Sequence, residues 1–259
     1  MIAKALTIAG SDPSGGAGIQ ADLKTFSRLG VYGMSVITAL TAQNTTGVTG
    51  VFEISPQFVG DQLDAVFKDL PPDAVKTGML ANAGIIEVVA AKVREYRLTK
   101  LVIDPVMASK AGSRLLQADA ADILQRFLSP LALLITPNID EAQMLTGKTI
   151  RTPDDMEEAA LKIHSTGVRN VLIKGGHLNG DAIDVLFDGH DFQRFHADRI
   201  STRDSHGTGC VFSAAITAYL AVGKPLVEAA KLGKEFVTEA IRKGLRIGAG
   251  TGPCDPVGL

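Results

Sequence analysis

The chain has 259 residues, of which 46% are hydrophobic and 21% are charged, proportions typical of a globular protein. Its 26 basic and 28 acidic residues give a net charge of −2, which excludes the basic surface that binds nucleic acid or an anionic membrane. Two cysteines cannot form a disulfide framework. The sequence shows no signal peptide and no membrane-length apolar run, so we expect a cytoplasmic protein.

Strand-like apolar runs alternate with helical patterns over the first two thirds of the chain. In chain order, the predicted elements are strand Lys4–Ala9, helix Ile19–Leu29, strand Val36–Leu40, helix Pro56–Leu70, strand Ala74–Lys76, helix Ala83–Tyr96, and strands Leu101–Ile103, Leu131–Ile135 and Val171–Ile173. This alternation predicts an α/β fold with a mostly parallel central sheet and helices on both faces.

A β-hairpin interrupts this alternation. Its predicted strands are Ile183–Phe187 and Asp191–His196, joined by an Asp-Gly turn. Two long helices are predicted after it, near Gly209–Ala221 and Pro225–Lys243. Because no linker, repeat or shift in composition divides the chain, we expect residues 1–259 to form a single domain.

The segment Asp204–Cys210 reads Asp-Ser-His-Gly-Thr-Gly-Cys and stands at the start of a predicted helix. Glycines at a helix N-terminus expose backbone N–H groups, which together with the helix dipole can hold an anion. The same field would lower the pKa of the Cys210 thiol, so that it could act as a base beside a phosphate. A tight turn with a small buried cysteine explains the pattern equally well.

A second glycine cluster, Gly10–Gly18, joins the first strand to the first helix. It is not a phosphate loop, because no Lys-Ser or Lys-Thr closes it. It is not a dinucleotide fingerprint either, since Ala21 stands at the third glycine position. A loop that wraps a small ligand and a purely structural turn both remain open.

Acidic residues follow two buried strands of the predicted sheet. Asp104 comes directly after Leu101–Ile103, and Glu141 lies at the start of the helix that follows Leu131–Ile135. Carboxylates at neighbouring strand ends can hold Mg²⁺, which takes few protein ligands and keeps several waters. A solvated turn at Asp104 and a helix-dipole carboxylate at Glu141 are the alternatives. The five histidines show no zinc-ligand spacing.

Taken together, these motifs resemble the ribokinase superfamily, in which Gly-Thr-Gly before a catalytic residue forms an anion hole. Cysteine at position 210, where sugar kinases carry aspartate, is similar to the vitamin-kinase branch. In their order along the chain, over about residues 4–248, the motifs closely resemble those of the hydroxymethylpyrimidine/phosphomethylpyrimidine kinase family of thiamine biosynthesis. The motifs that carry this resemblance are Ala9–Asp22, Thr41–Thr45, Lys76–Leu80, Asp104–Met107 and Gly207–Cys210.

The resemblance implies a three-layer α/β fold, usually a homodimer, with ATP as phosphate donor and Mg²⁺. It implies two successive phosphorylations, first of the 5-hydroxymethyl group of an aminopyrimidine and then of the monophosphate. The chain departs from the family pattern at Gly252–Pro256, which lacks the expected Gly-Pro-Val-Asn ending, and at Val211, where threonine is frequent.

The resemblance also implies the roles of individual residues. Gln43 would pair with the aminopyrimidine edge, because an amide offers both a donor and an acceptor. The other implied substrate contacts are the ring-packing side chains Met79 and Val106, the backbone near Gly10 and Ala17, and Asp22.

The catalytic and nucleotide-binding residues follow from the same resemblance. Gly207, Thr208 and Gly209 would form the anion hole with Cys210 as the base. Lys174, Asn138 and Thr208 would contact ATP, while Asp104 and Glu141 would organise Mg²⁺, through water or directly.

Three other functions compete with this interpretation. The first is a pyridoxal or pyridoxine kinase, since related enzymes with the same cysteine accept pyridoxal. The second is a sugar kinase, which Cys210 disfavours. The third is an inactive nucleotide-binding module, which the intact set Asp104, Glu141, Lys174 and Cys210 disfavours.

Overall fold

The computed structural model describes residues 2–107, 120–176, 178 and 180–258, and nine strands in this part of the chain form one sheet. The strands are β1 (Lys4–Ser11), β2 (Tyr32–Asn44), β3 (Gly47–Glu53), β4 (Ala74–Thr77), β5 (Leu101–Ile103), β6 (Leu134–Ile135), β7 (Asn170–Ile173), β8 (Ala182–Phe187) and β9 (Phe192–Ala197). Their order in the sheet is β3-β2-β1-β4-β5-β6-β7-β8-β9. Pairing is parallel from β2 to β7 and antiparallel at both ends, so the predicted mostly parallel sheet is confirmed.

Helices cover both faces of this sheet, as predicted. They are α1 (Gly18–Arg28), α2 (Pro56–Asp69), α3 (Ala83–Glu95), α4 (Ala120–Ile123), α5 (Ile139–Thr146), α6 (Pro153–His164), α7 (Thr208–Ala221) and α8 (Leu226–Arg242). One apolar core joins the sheet to α2, α3 and α6, and a second joins its other face to α1, α7 and α8. The architecture therefore has three layers. Within the described residues, no helix is both long and apolar enough to cross a membrane.

Helix α7 is buried almost all round, which sets it apart from the amphipathic α1 and α8. It lies against β1 and β4 on one side and against α1 and α8 on the other. Small side chains such as Ser213, Ala214 and Ala215 allow this close packing. As a consequence, the N-terminal end of α7 is held at the edge of the sheet where β1, β4 and β5 end.

Several regions differ from the sequence-based prediction, among them helix α6, which was not predicted. Strand β3 was not predicted, because most of its residues are exposed and it has no apolar face to give a periodic signal. The predicted strand Leu131–Ile135 is shorter, since Ser129–Leu131 form a 3₁₀ turn and only Leu134–Ile135 pair. Pro130 lies in that turn and cannot donate a backbone hydrogen bond to a sheet. The β8–β9 hairpin is confirmed.

A buried ion pair ties α8 to the hairpin. The Lys234 ammonium lies 2.8 Å from Oδ2 of Asp184 and donates to the Ala182 carbonyl at 2.9 Å. Oδ1 of Asp184 accepts from the backbone N–H of Gly175, the residue after Lys174. This pair therefore also fixes the strand end that carries Lys174.

We expect Asp184→Ala to lower the free energy of unfolding by about 3–5 kcal/mol, because it leaves the Lys234 ammonium buried without a counter-charge. The exposed pair of Lys224 and Glu228, also 2.8 Å apart, provides the matched control. Glu228→Ala should cost less than about 0.5 kcal/mol. Urea unfolding measured by circular dichroism tests both variants, and equal losses would contradict the prediction.

Candidate active site

The residues that sequence analysis placed at separate strand ends lie together around the start of α7. A methyl group added at Gly209 would lie 3.4 Å from Nζ of Lys174 and 3.8 Å from Oδ2 of Asp104. One added at Gly10 would lie 3.2 Å from the sulfur of Met79. Gly10 also stands at a register shift of β1, between the paired residues Ala9 and Ser11. The first pair of distances brings the start of α7 to Lys174 and to the acidic end of β5, and the last distance brings the glycine loop to the end of β4.

Two glycines allow the glycine loop to touch the start of α7. Gly207 has a φ of 78°, and a side chain there would begin 1.8 Å from the carbonyl oxygen of Gly16. Gly18 has a φ of 58°, and a side chain there would begin 2.4 Å from the carbonyl oxygen of Gly10. An L-residue would be strained at both positions and would also meet backbone atoms. Glycine is therefore required for this contact.

The first turn of α7 presents backbone N–H groups towards the strand ends. The Val211 N–H donates to the Gly207 carbonyl at 2.9 Å, while the N–H groups earlier in the turn precede any i−4 partner in the helix. The Thr208 hydroxyl donates to the Ser205 carbonyl at 2.8 Å. The backbone N–H groups of Gly209 and Cys210 are thus available to donate hydrogen bonds to an anion, which the helix dipole also favours at this end of α7.

Cys210 behaves differently from the sequence-based expectation. Burial raises the pKa of its thiol to about 12, although the ammonium of Lys76 and the backbone of Gly18 oppose that shift. Asp22 and Asp104 raise the pKa further. The helix N-terminus alone suggested a lowered thiol pKa, but removal from water outweighs it here.

Beneath Cys210 lies a fully buried ion pair. Nζ of Lys76 lies 2.7 Å from Oδ1 of Asp22, and the Thr7 hydroxyl donates to Oδ2 of Asp22 at 2.6 Å. Burial by itself would lower the pKa of the Lys76 ammonium, but Asp22, Cys210 and Asp104 raise it above its usual value. Asp22 was predicted to contact the substrate; its carboxylate is instead committed to these internal partners, and none of the residue reaches the surface.

A second ion pair joins the ends of β5 and β7. Nζ of Lys174 lies 2.7 Å from Oδ1 of Asp104, and the Ser213 hydroxyl donates to Oδ2 at 3.1 Å. Burial opposes ionisation of Asp104, but Lys174 and Lys76 hold the pKa of its carboxyl below the usual value. Burial raises the pKa of Glu141 to about 7, with Lys174 opposing and Asp104 adding to the shift.

Glu141 and Asn138 also form the N-terminal cap of α5. The Asn138 side chain accepts from the Glu141 N–H at 2.9 Å, and the Glu141 carboxylate accepts from the Asn138 N–H at 2.7 Å. This capping box explains both residue types without a ligand. Glu141 therefore does cap the helix, as the alternative interpretation predicted. Any contact with a nucleotide or metal would be a second role of this residue.

The donor set suits a hard divalent cation. Asp104 and Glu141 are both buried and both interact with Lys174, so that two carboxylates share one ammonium. Carboxylate oxygens are the ligands that Mg²⁺ prefers, and it usually takes only one or two of them from protein. Among the described residues, no group of three or more His, Cys, Asp or Glu side chains is arranged to hold a metal. The site fits Mg²⁺ bound mainly by water and phosphate.

The predicted substrate residues come from four consecutive strands of the sheet: Gly10 lies on β1, Gln43 on β2, Met79 after β4 and Val106 after β5. Gln43 lies between Thr41 and His206: its Oε1 is 3.2 Å from Oγ1 of Thr41, and its Nε2 is 3.4 Å from Nε2 of His206. Met79 is nearly buried and Val106 is half-buried. Both backbone groups of Ala17 already have partners, since its N–H donates to Asp12 and its carbonyl accepts from Ala21.

Comparison with known proteins identifies the family. The sequence pattern of the family described as phosphomethylpyrimidine kinase matches residues 12–255. The chain belongs to this family. Its hydroxymethylpyrimidine/phosphomethylpyrimidine kinase relative from Bacillus subtilis is 50% identical over 254 residues, which cover 97% of this chain and 94% of the relative.

Two further proteins are similar to this member of the phosphomethylpyrimidine kinase family. The thiamine biosynthesis bifunctional protein ThiED of Geobacter sulfurreducens is 54% identical over 97% of the chain, which spans 52% of that relative. The crystal structure of an ADP complex of Bacillus subtilis pyridoxal kinase is similar with a TM-score of 0.92 at 44% identity, covering 98% of this chain and 97% of that one. The predicted ribokinase-like fold is thereby confirmed.

Three residues of this phosphomethylpyrimidine kinase site were not predicted from the sequence. Lys76 could have been noticed as a lone lysine inside an apolar strand. Asp12 and His206, whose side chains lie 2.9 Å apart, are in motifs that were recognised for their glycines. Their pairing joins residues 194 positions apart, and no local pattern reports such a contact.

The close approach at Gly207 can be tested against a glycine without neighbours. Gly147 has a φ of 66°, and a side chain there would meet nothing within 4 Å. We expect Gly147→Ala to cost about 1 kcal/mol of stability from backbone strain alone. Gly207→Ala should cost about 3 kcal/mol or more, because it adds a clash with Gly16. Urea unfolding of both variants measures the difference, and a similar loss would show that the approach is not tight.

Proposed function

We propose that this protein phosphorylates 4-amino-5-hydroxymethyl-2-methylpyrimidine with ATP and then phosphorylates the monophosphate to the diphosphate, in thiamine biosynthesis. One observation carries the proposal: the first turn of α7, with Cys210 and its backbone donors, lies beside the Lys174–Asp104 pair and shares a site with Gln43. Phosphoryl transfer needs chiefly positioning and charge stabilisation, and these groups supply both. The names of the relatives, and the ADP complex of the structural neighbour, support the substrate class and the phosphate donor.

The aminopyrimidine would bind on the β1–β2 side of the site. The amide of Gln43 would accept from the exocyclic amine and donate to the adjacent ring nitrogen. Met79 and Val106 would pack against the ring. The irregular backbone at Gly10 would complete the pocket, with Ala17 contributing contact rather than a free donor. Asp22 would act indirectly, because its carboxylate holds Lys76 in place.

The transferring phosphoryl group would bind at the start of α7. The backbone donors of Gly207–Cys210 would stabilise its developing charge, and the ammonium of Lys174 would add a positive charge at the same point. Thr208 and Asn138 would contact the nucleotide through groups not used in their own turns. The attacking hydroxyl would then be placed in line with the bond between the β- and γ-phosphates.

Cys210 would remove the proton of the attacking hydroxyl. Its thiolate accepts that proton as the hydroxyl oxygen bonds to the γ-phosphorus and ADP leaves. The buried ammonium of Lys76 favours the thiolate, whereas burial disfavours it. A thiol with so high a pKa is a strong base once it is ionised, but few molecules are ionised at neutral pH.

Asp104 and Glu141 would hold Mg²⁺, with water completing its coordination. The metal would supply neutralisation of phosphate charge. Lys174 would share that task, since it already pairs with Asp104 and interacts with Glu141.

A pyridoxal or pyridoxine kinase is the second candidate function. The observation in its favour is the similarity to the ADP complex of pyridoxal kinase, which extends over nearly the whole chain. An ATP-consumption assay with the aminopyrimidine, pyridoxal and a sugar separates the two candidates from each other and from a sugar kinase.

We also propose that residues 1–259 form a single kinase domain, assembled as a homodimer in the cytoplasm.

We expect Gln43→Leu to lower kcat/KM for the aminopyrimidine by about 10- to 100-fold, because the ring edge loses both partners on burial. The KM for ATP should stay within about twofold, since Gln43 does not face the nucleotide. Exposed Gln57 on α2 provides the matched control, and Gln57→Leu should leave both constants unchanged. Unaltered kinetics in Gln43→Leu would remove Gln43 from substrate recognition.

For Cys210, the raised pKa sets the direction of the pH dependence. A base with a pKa of about 12 is protonated at neutral pH, so turnover should rise about tenfold per pH unit between pH 7 and 9. Cys210→Ala should fold normally and lose about 10²–10⁴-fold in kcat. Cys210→Asp should keep part of the activity and lose the steep rise, because a carboxylate is already ionised. Steady-state kinetics across this range decides, and near-normal turnover of Cys210→Ala would rule out the catalytic role.

A further inference from the structure

The imidazole of His206 has no part in the proposed reaction, yet it lies within the site. Its ring fills the space over Gly16, where an added methyl group would lie 2.5 Å from Cδ2 of His206. Its backbone N–H donates to the Gly252 carbonyl at 2.9 Å, and its carbonyl accepts from the Cys254 N–H at 3.2 Å. Both the ring and the backbone of His206 are therefore fixed.

Asp12 determines which nitrogen of His206 carries hydrogen. Oδ2 of Asp12 lies 2.9 Å from Nε2 of His206 and also accepts from the Ala17 N–H. Oδ1 accepts from both the N–H and the hydroxyl of Ser14. Burial opposes ionisation, but the bonds from His206 and Ser14 hold the pKa of Asp12 below its usual value. An ionised carboxylate only accepts, so Nε2 of His206 must be the donor.

This assignment decides how the amide of Gln43 is turned. With Nε2 of Gln43 facing Nε2 of His206 at 3.4 Å, two N–H donors would oppose each other. The Thr41 hydroxyl donates its single hydrogen to the Ser11 carbonyl at 2.9 Å, so towards Gln43 it can only accept. A half-turn of the amide removes this opposition. Nε2 of Gln43 then donates to Thr41, and Oε1 faces the Nε2–H of His206, whose single hydrogen is donated mainly to Asp12 at the shorter distance. The amide oxygen and nitrogen are close in size, so this exchange needs no other movement.

We propose that His206, held by Asp12, is a positioning residue that turns the carbonyl of Gln43 towards itself and the amide nitrogen towards Thr41, and so sets the direction in which the substrate pairs. The proposal rests on the proposed function, in which Gln43 pairs with the aminopyrimidine.

The orientation of the amide has a consequence for the chemistry. The Gln43 carbonyl accepts from the exocyclic amine, so the amine lies on the His206 side of the pair. The hydroxymethyl group is attached next to that amine, and His206 leads directly into Gly207–Cys210 along the chain. The reacting hydroxyl is thus directed to the phosphate-binding turn. The opposite amide orientation would pair with the ring turned over and its hydroxyl directed away.

A double-mutant cycle tests whether His206 acts through Gln43. We expect His206→Leu to raise the KM for the aminopyrimidine about tenfold in the parent chain, and by less than about twofold in the Gln43→Leu background. His206→Gln should stay within about threefold of the parent, because its amide can still donate to Asp12 and to Gln43. The KM for ATP should not change. An equal effect of His206→Leu in both backgrounds would overturn the proposal.

His196→Leu is the matched control, since that histidine is exposed on β9. It should leave all constants unchanged, and urea unfolding of each variant verifies that it folds. If His206→Leu does not fold, His206→Gln carries the test. A rise of about tenfold or more in its KM for the aminopyrimidine would then contradict the proposal.

Long-range ¹H–¹⁵N NMR of the full chain gives a readout that does not depend on activity. We expect the His206 signals of a protonated Nε2, together with contacts between the side-chain amide hydrogens of Gln43 and Thr41. A neutral ring protonated only at Nδ1 would overturn the inference. A parent chain that does not phosphorylate the aminopyrimidine would instead contradict the proposed function, while the NMR result would still decide the orientation of the amide.

Discussion

The active site depends on one close contact between two backbones, that of Gly16 with Gly207. Without this contact, side chains would separate the glycine loop from the first turn of α7. The substrate pocket would then lie farther from the phosphate-binding turn. Gly207 permits the contact because it has no β-carbon: one built there would lie 1.8 Å from the carbonyl oxygen of Gly16. Gly16 in turn leaves room for the ring of His206. Substrate recognition and phosphate binding are therefore coupled at a single point.

Two buried ion pairs hold ammonium groups in this site. Lys76 on β4 pairs with Asp22 on α1, and Lys174 after β7 pairs with Asp104 after β5. Both ammonium groups remain charged because carboxylates face them. Neither pair adds a net charge, so the protein gains oriented cations without becoming basic overall. Such pairs contribute little net stability, since the cost of burying each ion offsets much of the attraction between the two. Their value here lies in preorganisation around the phosphoryl group.

The sequence predicted those features that rest on local pattern or motif. The parallel strands, the β8–β9 hairpin and the start of α7 are confirmed because each has its own periodicity or turn chemistry. β3 could not be predicted, since an exposed strand has no apolar face. The direction of the Cys210 pKa was wrong because a helix terminus is visible in sequence, whereas the burial that outweighs it arises from tertiary packing. The commitment of Asp22 to Lys76 was hidden for the same reason, as 54 positions separate the two residues.

The contact between Asp12 and His206 spans 194 positions, and His206 is fixed in turn by Gly252 and Cys254. On the ribosome, the glycine loop is made well before His206 and the residues that hold it. Contacts of such separation form late and slowly, because most of the intervening chain must be ordered first. A chain made only as far as β9 therefore contains all nine strands of the described sheet but lacks His206 and α7, so it cannot yet form the site.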